Sequence, residues 1–161
     1  MIAWLRRHFR SSPAELLTSQ LYDEQTFYRT FIRDLGTCTS EAIIESPFIT
    51  SNRVASLLPI FGKMRSRGIK ITVITRHPAE HAAPYDTQAA HAVDCLLDLG
   101  VQVIYMGSHH RKLAIFDRRL LWEGSLNILS QNDSCEIMRR VESDCLARQM
   151  IHFVGFDKFL T

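Results

Sequence analysis

The chain has 161 residues, of which 46% are hydrophobic and 22% are charged, and its formal net charge is +2 at pH 7. This length predicts one domain over residues 1–161, and the composition excludes a largely disordered or fibrous protein. The weak positive charge alone does not indicate a nucleic-acid-binding protein.

The N-terminal sequence and the cysteines indicate the subcellular location. Arginines follow the first five residues, so the start lacks the apolar run of a secretory signal peptide or a membrane span. None of the four cysteines forms a C-x-x-C pair, which favours reduced thiols. We expect a cytoplasmic protein without stable membrane association, although a short amphipathic surface anchor remains compatible with the sequence.

The first 35 residues are expected to form a helical segment that packs on the domain. Ser12 and Pro13 are typical of a helix start, because proline is tolerated in the first turn. A second helix is predicted over residues 23–35, where apolar side chains recur at helical spacing, and Gly36 ends it.

A strand–helix–strand unit follows. Residues 42–48 and 69–75 have the apolar character of buried strands, and a helix over about 51–67 connects them. Pro59 lies inside this helix, which either kinks there or begins near residue 56.

The rest of the chain completes an α/β fold. A helix over 86–99 and a strand over 101–106 continue the pattern. The segments 112–116 and 120–122 predict an antiparallel hairpin, and a strand over 136–141 and a helix over 143–160 follow. The prediction is a mixed, mostly parallel β-sheet with helices on both faces.

Six residues form the spaced pattern H-x-K-x4-D-x6-G-S-x-N: His110, Lys112, Asp117, Gly124, Ser125 and Asn127. His110 and Lys112 are two apart on a predicted strand, so both side chains can meet one phosphate. Asp117 falls on the opposite parity, which indicates a group that orients its neighbours rather than a direct phosphate contact.

The second half of the pattern supplies uncharged donors. Gly124 allows close backbone approach, and Ser125 and Asn127 offer a hydroxyl and an amide to phosphate oxygens. With the lysine charge, these groups predict a clamp for the charge that develops at phosphorus, with no metal and no cofactor.

This pattern resembles the motif of the phospholipase D superfamily, whose fold is an α/β/α sandwich. The resemblance implies that a histidine attacks phosphorus to give a phosphohistidine, and that a second motif histidine protonates the leaving oxygen. Only one such motif occurs in this chain. Small nucleases of the superfamily pair two copies in a two-fold dimer, so we expect a homodimer in which His110 of each subunit meets its mate.

The resemblance also implies an acidic residue, downstream of the asparagine, that holds the histidine tautomer. Glu136 is the best match, and Glu142 is the runner-up.

Other residues are weaker candidates. Arg111 within the motif, and Ser46 and Arg76 near strand ends, are predicted to bind substrate, as Glu45 also could. His109 is interpreted as a rim or structural residue. The H-x-x-E-H pattern over residues 77–81 is interpreted as a solvated loop rather than a zinc site, because a proline follows its first histidine.

The motif predicts the chemistry better than the substrate. The short single-motif chain and its arginine clusters favour an endonuclease that hydrolyses DNA or RNA. Two alternatives remain: a lipid phosphodiesterase at a membrane surface, and a noncatalytic nucleic-acid-binding module of a larger system.

Overall fold

Seven strands form one mixed sheet, in the order β1-β7-β6-β5-β2-β3-β4, in a computed structural model that describes residues 19–130 and 134–159. The strands are β1 (Gln20–Asp23), β2 (Glu41–Glu45), β3 (Lys70–Thr75), β4 (Gln102–Tyr105), β5 (Leu113–Phe116), β6 (Leu120–Gly124) and β7 (Ile137–Glu142). The helices are α1 (Phe27–Thr37), α2 (Ser51–Ser66), α3 (Tyr85–Asp98) and α4 (Asp144–Val154).

The mixed α/β architecture is confirmed, but the expectation of a mostly parallel sheet is wrong. Among the described strands, β2–β3 and β3–β4 are parallel, and the other four neighbouring pairs are antiparallel. A parallel pair needs a long crossover, and only α2 and α3 supply one. After β4 the chain returns to the other side of β2 and continues as the β5–β6 hairpin.

Helices cover both faces of the sheet, as predicted. The larger core lies beneath α1, α2 and α3 and includes Phe31, Phe61 and Trp122. A smaller core lies beneath α4 and includes Ile115 and Ile151. No helix among the described residues is long and apolar enough to cross a membrane.

Two local expectations are resolved by the structure. Helix α2 begins at Ser51 and continues through Pro59, so the proline does not mark its start. Residues 20–23 are not part of a helical segment but form the edge strand β1, where Tyr22 packs on Trp122 with ring centroids 5.0 Å apart. The helix start expected at Ser12 and Pro13 lies outside the described residues.

A buried carboxylate fastens α1 to the sheet. Asp34 accepts hydrogen bonds from Trp122 Nε1 at 3.1 Å and from Arg140 Nε at 2.8 Å. Trp122 lies on β6 and Arg140 on β7, so one side chain of α1 connects two strands. A buried charge is tolerated where it is paired and hydrogen-bonded in this way.

The strand pairing shows which strand ends meet at each of the two opposite edges of the sheet, where an edge is the row of neighbouring strand ends. Glu45 pairs with Leu113, Leu113 with Glu123, and Gly124 with Met138. These pairs bring the end of β2, the start of β5, the end of β6 and the start of β7 to one edge. The β5–β6 turn lies at the opposite edge.

That turn is held by the carboxylate of Asp117. Asp117 and Arg118 have φ values of 52° and 51°, as the central residues of a type I′ hairpin turn do. The Asp117 carboxylate accepts hydrogen bonds from the backbone N–H groups of Thr39, Ser40 and Glu41 at 2.9, 2.8 and 3.1 Å. Burial alone would raise the pKa of Asp117, but these hydrogen bonds outweigh burial and hold it well below its usual range.

We expect Asp117→Asn to lower the free energy of unfolding at pH 7 by roughly 1–3 kcal/mol, since hydrogen bonds to a charged acceptor are lost. Because the folded-state pKa is depressed, the contribution of Asp117 is complete above the unfolded value of about 3.9 and is lost as the pH falls below it. Urea unfolding between pH 7 and pH 2.5 measures both effects.

The matched control is Asp94→Asn, at an exposed position of α3. It should change stability by less than about 0.5 kcal/mol and leave the acid dependence intact. A wild-type acid dependence in Asp117→Asn would contradict the assignment.

Candidate active site

His110 and Lys112 lie immediately before β5, at the edge where β2 and β6 end. The Lys112 ammonium donates to the carbonyl oxygen of His110 at 2.6 Å, and Gly124 N–H donates to the Lys112 carbonyl at 3.2 Å. The His110 imidazole is exposed, and its Nε2 lies 3.5 Å from Nη2 of Arg76. An imidazole, an ammonium and a guanidinium therefore lie together at the sheet edge.

Gly124 and Ser125 join this edge to β7. A Cβ at Gly124 would lie 2.0 Å from the carbonyl oxygen of Ile137, so only glycine fits here. The close approach at Gly124 is therefore made to β7. Gly124 also lines the groove beside Lys112, and its role as a substrate contact stays a prediction. Ser125 Oγ accepts from Ile137 N–H at 3.1 Å, which leaves the hydroxyl proton for another acceptor.

Asn127 completes the cluster from the segment that follows β6. Its side-chain Oδ1 is buried and has no hydrogen-bond partner within the described part of the chain. A buried amide oxygen of this kind costs free energy unless a ligand or water satisfies it.

The acidic candidates lie at opposite edges. Glu136 immediately precedes β7 at the same edge as Ser125, and it accepts a hydrogen bond from Ser134 Oγ at 2.6 Å. Glu142 ends β7 at the opposite edge and pairs with Arg119 at 3.3 Å. This placement favours Glu136 over Glu142, and the role of Glu136 in holding the histidine tautomer stays a prediction.

Asp117 does not join the cluster. It follows β5, whereas His110 precedes it, and four residues of strand span roughly 13 Å. Its oxygens are occupied by donors from residues 38–41. Asp117 therefore lies away from the phosphate cluster, and its carboxylate instead fastens the β5–β6 turn to residues 39–41.

The two residues that flank His110 both contact one buried carboxylate, that of Glu45. Arg111 donates to Glu45 through Nε at 3.0 Å and Nη2 at 2.9 Å, and His109 Nδ1 lies 3.1 Å from the same carboxylate. Burial acts to raise the pKa of Glu45, but hydrogen bonds from His109 and Arg111 and the guanidinium charge outweigh it, so the pKa lies below its usual value. Arg111, predicted to bind substrate, thus has its charge paired within the protein.

The other two residues near strand ends, Ser46 and Arg76, differ in whether they are available to a substrate. Ser46 is fully buried, donates to the Phe48 carbonyl at 2.9 Å and accepts from Leu129 N–H at 3.1 Å, so its prediction as a substrate contact is wrong. Arg76 remains at the site, with its guanidinium carbon 5.6 Å from the centre of the Phe48 ring and Glu80 at 3.9 Å.

Two spaces flank the cluster. A groove of about 690 Å³ is bordered by polar and charged residues of the motif edge and by apolar residues of β1, β7 and α4: Lys112, Ser125, Arg139, Leu21, Ile137 and Phe153. A cavity of about 310 Å³ lies beside Asn127 and is also lined by Phe48, Ile49, Thr50, His81, Tyr85 and Ser130. The sequence analysis did not predict Phe48, Thr50 or Tyr85 as site residues. Residues 48–50 come just after a buried strand, and this position could have indicated that they lie near the site.

The chain is similar in sequence to one protein family and in fold to several solved structures. Residues 31–154 match the family model described as "Cardiolipin synthase, PLD-like domain". None of the curated proteins matches the sequence.

Solved structures share the fold at low sequence identity. Nuc from Salmonella typhimurium, a phospholipase D family member, is 11% identical with a TM-score of 0.70, and the match covers 84% of this chain and 90% of Nuc. NucT from Helicobacter pylori is 17% identical with a TM-score of 0.64, covering 84% and 91% of the two chains. The archaeal chromatin protein TrmBL2 is 11% identical with a TM-score of 0.58, covering 98% and 56%.

We expect Glu45→Gln to lower the free energy of unfolding by about 2 kcal/mol or more, because it leaves Arg111 and His109 without their anionic partner. Removal of one partner from a fully buried pair costs more, but the Arg111 side chain is 42% exposed, and water compensates part of the loss. Thermal or urea unfolding gives the value.

A double-mutant cycle with Arg111→Gln tests whether the pair is coupled, with an expected coupling of about 0.5–3 kcal/mol. The control is Glu123→Gln, on β6 at the groove, which should change stability by less than about 0.5 kcal/mol. Fully additive losses at Glu45 and Arg111 would show that the contact contributes nothing.

Proposed function

Because the chain belongs to the phospholipase D superfamily, we propose that it is a metal-independent phosphodiesterase, and specifically an endonuclease that hydrolyses DNA or RNA. One observation carries the proposal. The side chains of His110, Lys112, Ser125 and Asn127 lie at a single edge of the sheet, where they offer one nucleophile with cationic and neutral donors. This donor set suits a phosphate, since it supplies hydrogen bonds and positive charge directly.

The proposed reaction has two displacements. The neutral His110 imidazole attacks phosphorus, an N–P bond forms, the P–O bond to the leaving group breaks, and a protonated imidazole gives its proton to the departing oxygen. Water then attacks the phosphohistidine, the N–P bond breaks, and the second imidazole takes the proton of that water. Lys112, Ser125 and Asn127 hold the non-bridging oxygens throughout, and Arg76 adds positive charge beside His110.

The second imidazole is proposed to come from another copy of the chain. His110 is the only histidine followed by lysine two residues later. Leu21, Ile137 and Phe153 border the groove beside Lys112, and Phe153 is 83% exposed. Association of two copies around this edge would bury these apolar side chains and bring two His110 rings toward one phosphate.

A nucleic-acid substrate fits the charges around the cluster. Lys112 and Arg139 line the groove, and Arg76 lies at the imidazole. Positive charges close to the proposed nucleophile suit the phosphates of a nucleic acid. Three structural neighbours support a nucleic-acid substrate: Nuc and NucT by their names, and TrmBL2 by the DNA binding stated for it.

A lipid phosphodiesterase is the second candidate. The exposed apolar border of the groove would also suit acyl chains, and the matching family model is described by a cardiolipin synthase. Turnover of phosphatidylglycerol vesicles, compared with that of DNA and RNA, separates the two candidates.

We expect the purified protein to cleave single-stranded or double-stranded DNA or RNA in the presence of EDTA, and His110→Ala to lose roughly 10³-fold or more of that activity because the nucleophile is gone. Gel separation of labelled products measures the rate, and acid-labile phosphate on trapped wild-type protein reports the phosphohistidine.

The control is His91→Ala, an exposed position on α3, which should keep full activity. Activity that EDTA abolishes, or that survives in His110→Ala, would sink the proposal.

The dimer makes a separate prediction. Subunits with different affinity tags, one wild type and one His110→Ala, should form a heterodimer that is inactive, since it holds one imidazole where two are needed. A heterodimer of wild type with His91→Ala should be fully active. Full activity of the first heterodimer, or an active monomer by analytical ultracentrifugation, would show that one chain suffices.

A further inference from the structure

The cavity beside Asn127 has polar atoms that the protein does not use. Thr50 Oγ1, His81 Nε2 and Asn127 Oδ1 are buried and have no hydrogen-bond partner among the residues that the structure describes, and all three residues line the cavity. Thr50 stands at the N-cap of α2, yet its hydroxyl makes no capping hydrogen bond. Three unsatisfied polar atoms around one space indicate a polar ligand, because each costs free energy while unpaired.

His81 is the most informative of the three. The residue is only 9% exposed. Its pKa lies below the usual value because burial, and next the charge of Arg76, disfavour the protonated ring, with Glu80 and Asp86 opposing in part. A neutral imidazole can donate or accept one hydrogen bond at Nε2 without bringing a charge into the cavity.

The cavity walls are aromatic. Phe48 and Tyr85 both line it, and Tyr85 is 57% exposed at its rim. Phe48 packs its ring edge-to-face on His81, with centroids 5.4 Å apart. Aromatic side chains of this kind provide stacking surfaces for planar ligands.

The cavity adjoins the proposed phosphate site. The Phe48 ring centroid lies 6.5 Å from that of His110, and Arg76 contacts both rings. Asn127 belongs to the phosphate cluster and to the cavity wall. A group attached to the scissile phosphate can therefore enter the cavity without moving the phosphate away from His110.

We propose that this cavity binds the unstacked base of a nucleotide next to the scissile phosphate. The inference rests on the proposed nuclease function and narrows it. The base stacks on Phe48 and Tyr85, and its polar edge bonds Thr50, His81 and Asn127, since base edges carry both donors and acceptors.

Other occupants fit the walls less well. An acyl chain would leave the three polar atoms unsatisfied. A second phosphate would lack a partner of opposite charge, because no lysine or arginine is among the described residues that line the cavity. A volume of about 310 Å³ is at the lower end of small-ligand sites, as suits one planar ring system rather than a larger group.

A base can reach the cavity only when it leaves the helical stack. Single-stranded DNA or RNA offers such bases at little cost, whereas a duplex must first be unpaired and unstacked. The enzyme is therefore expected to prefer single strands.

The test compares two polymers with the same phosphates. Wild-type protein is incubated in EDTA with a short oligothymidylate and with an abasic oligomer of equal length, whose sugars carry no base. The oligothymidylate should be cleaved about 10-fold faster or more, because stacking is lost in the abasic oligomer. Tyr85→Ala and Thr50→Val should reduce this preference several-fold by slowing cleavage of the oligothymidylate alone.

The matched control is Tyr105→Ala, which removes an exposed tyrosine that packs on His77 outside the cavity. It should keep the wild-type preference, and circular dichroism of every variant checks folding. Equal cleavage of both polymers, or a preference unchanged in Tyr85→Ala and Thr50→Val, overturns the base site and leaves the nuclease proposal standing. Turnover of phosphatidylglycerol vesicles with cleavage of neither polymer overturns both proposals.

Discussion

The arrangement of the site depends on the buried carboxylate of Glu45. It ends β2, accepts hydrogen bonds from Arg111 and lies 3.1 Å from His109 Nδ1, so both residues next to His110 contact one group inside the protein. Side chains alternate along an extended segment, and anchoring the two flanking residues inward therefore presents the His110 imidazole outward. At the opposite edge of the sheet a different carboxylate, that of Asp117, fastens the β5–β6 turn to the start of β2.

The exposed edge separates two kinds of surface. On one side, the groove beside Lys112 combines cations with exposed apolar residues, as an interface with a second copy would. On the other side, the cavity beside Asn127 is smaller, has aromatic walls and is lined by unsatisfied polar atoms. The proposed dimer supplies the second imidazole, and the proposed base site favours substrates with an unstacked base. The phosphate cluster lies between these two surfaces.

Local sequence patterns predicted most of the helices and strands. The βαβ unit, the hairpin after β4 and the final strand and helix follow from apolar periodicity and turn residues, which act over a few neighbouring positions. The spaced motif identified the family and, apart from Asp117, residues that meet at one edge, because two-residue spacing and a short hairpin fix their relative positions. The strand β1 was missed, since its four residues carry too little alternation to separate them from the following helix.

By itself, then, the sequence determined the family, the α/β class and the polar residues of the cluster. Tertiary structure alone decided which polar groups are already occupied and which are left for a ligand. Ser46, Arg111 and Asp117 are bonded to partners far away in the chain, and Gly124 is required by its contact with β7. The cavity is likewise assembled from segments that begin at residues 48, 81 and 127. Such contacts join residues that are 13 to 83 positions apart. They depend on how the strands are ordered in the sheet, so no local sequence pattern indicates them.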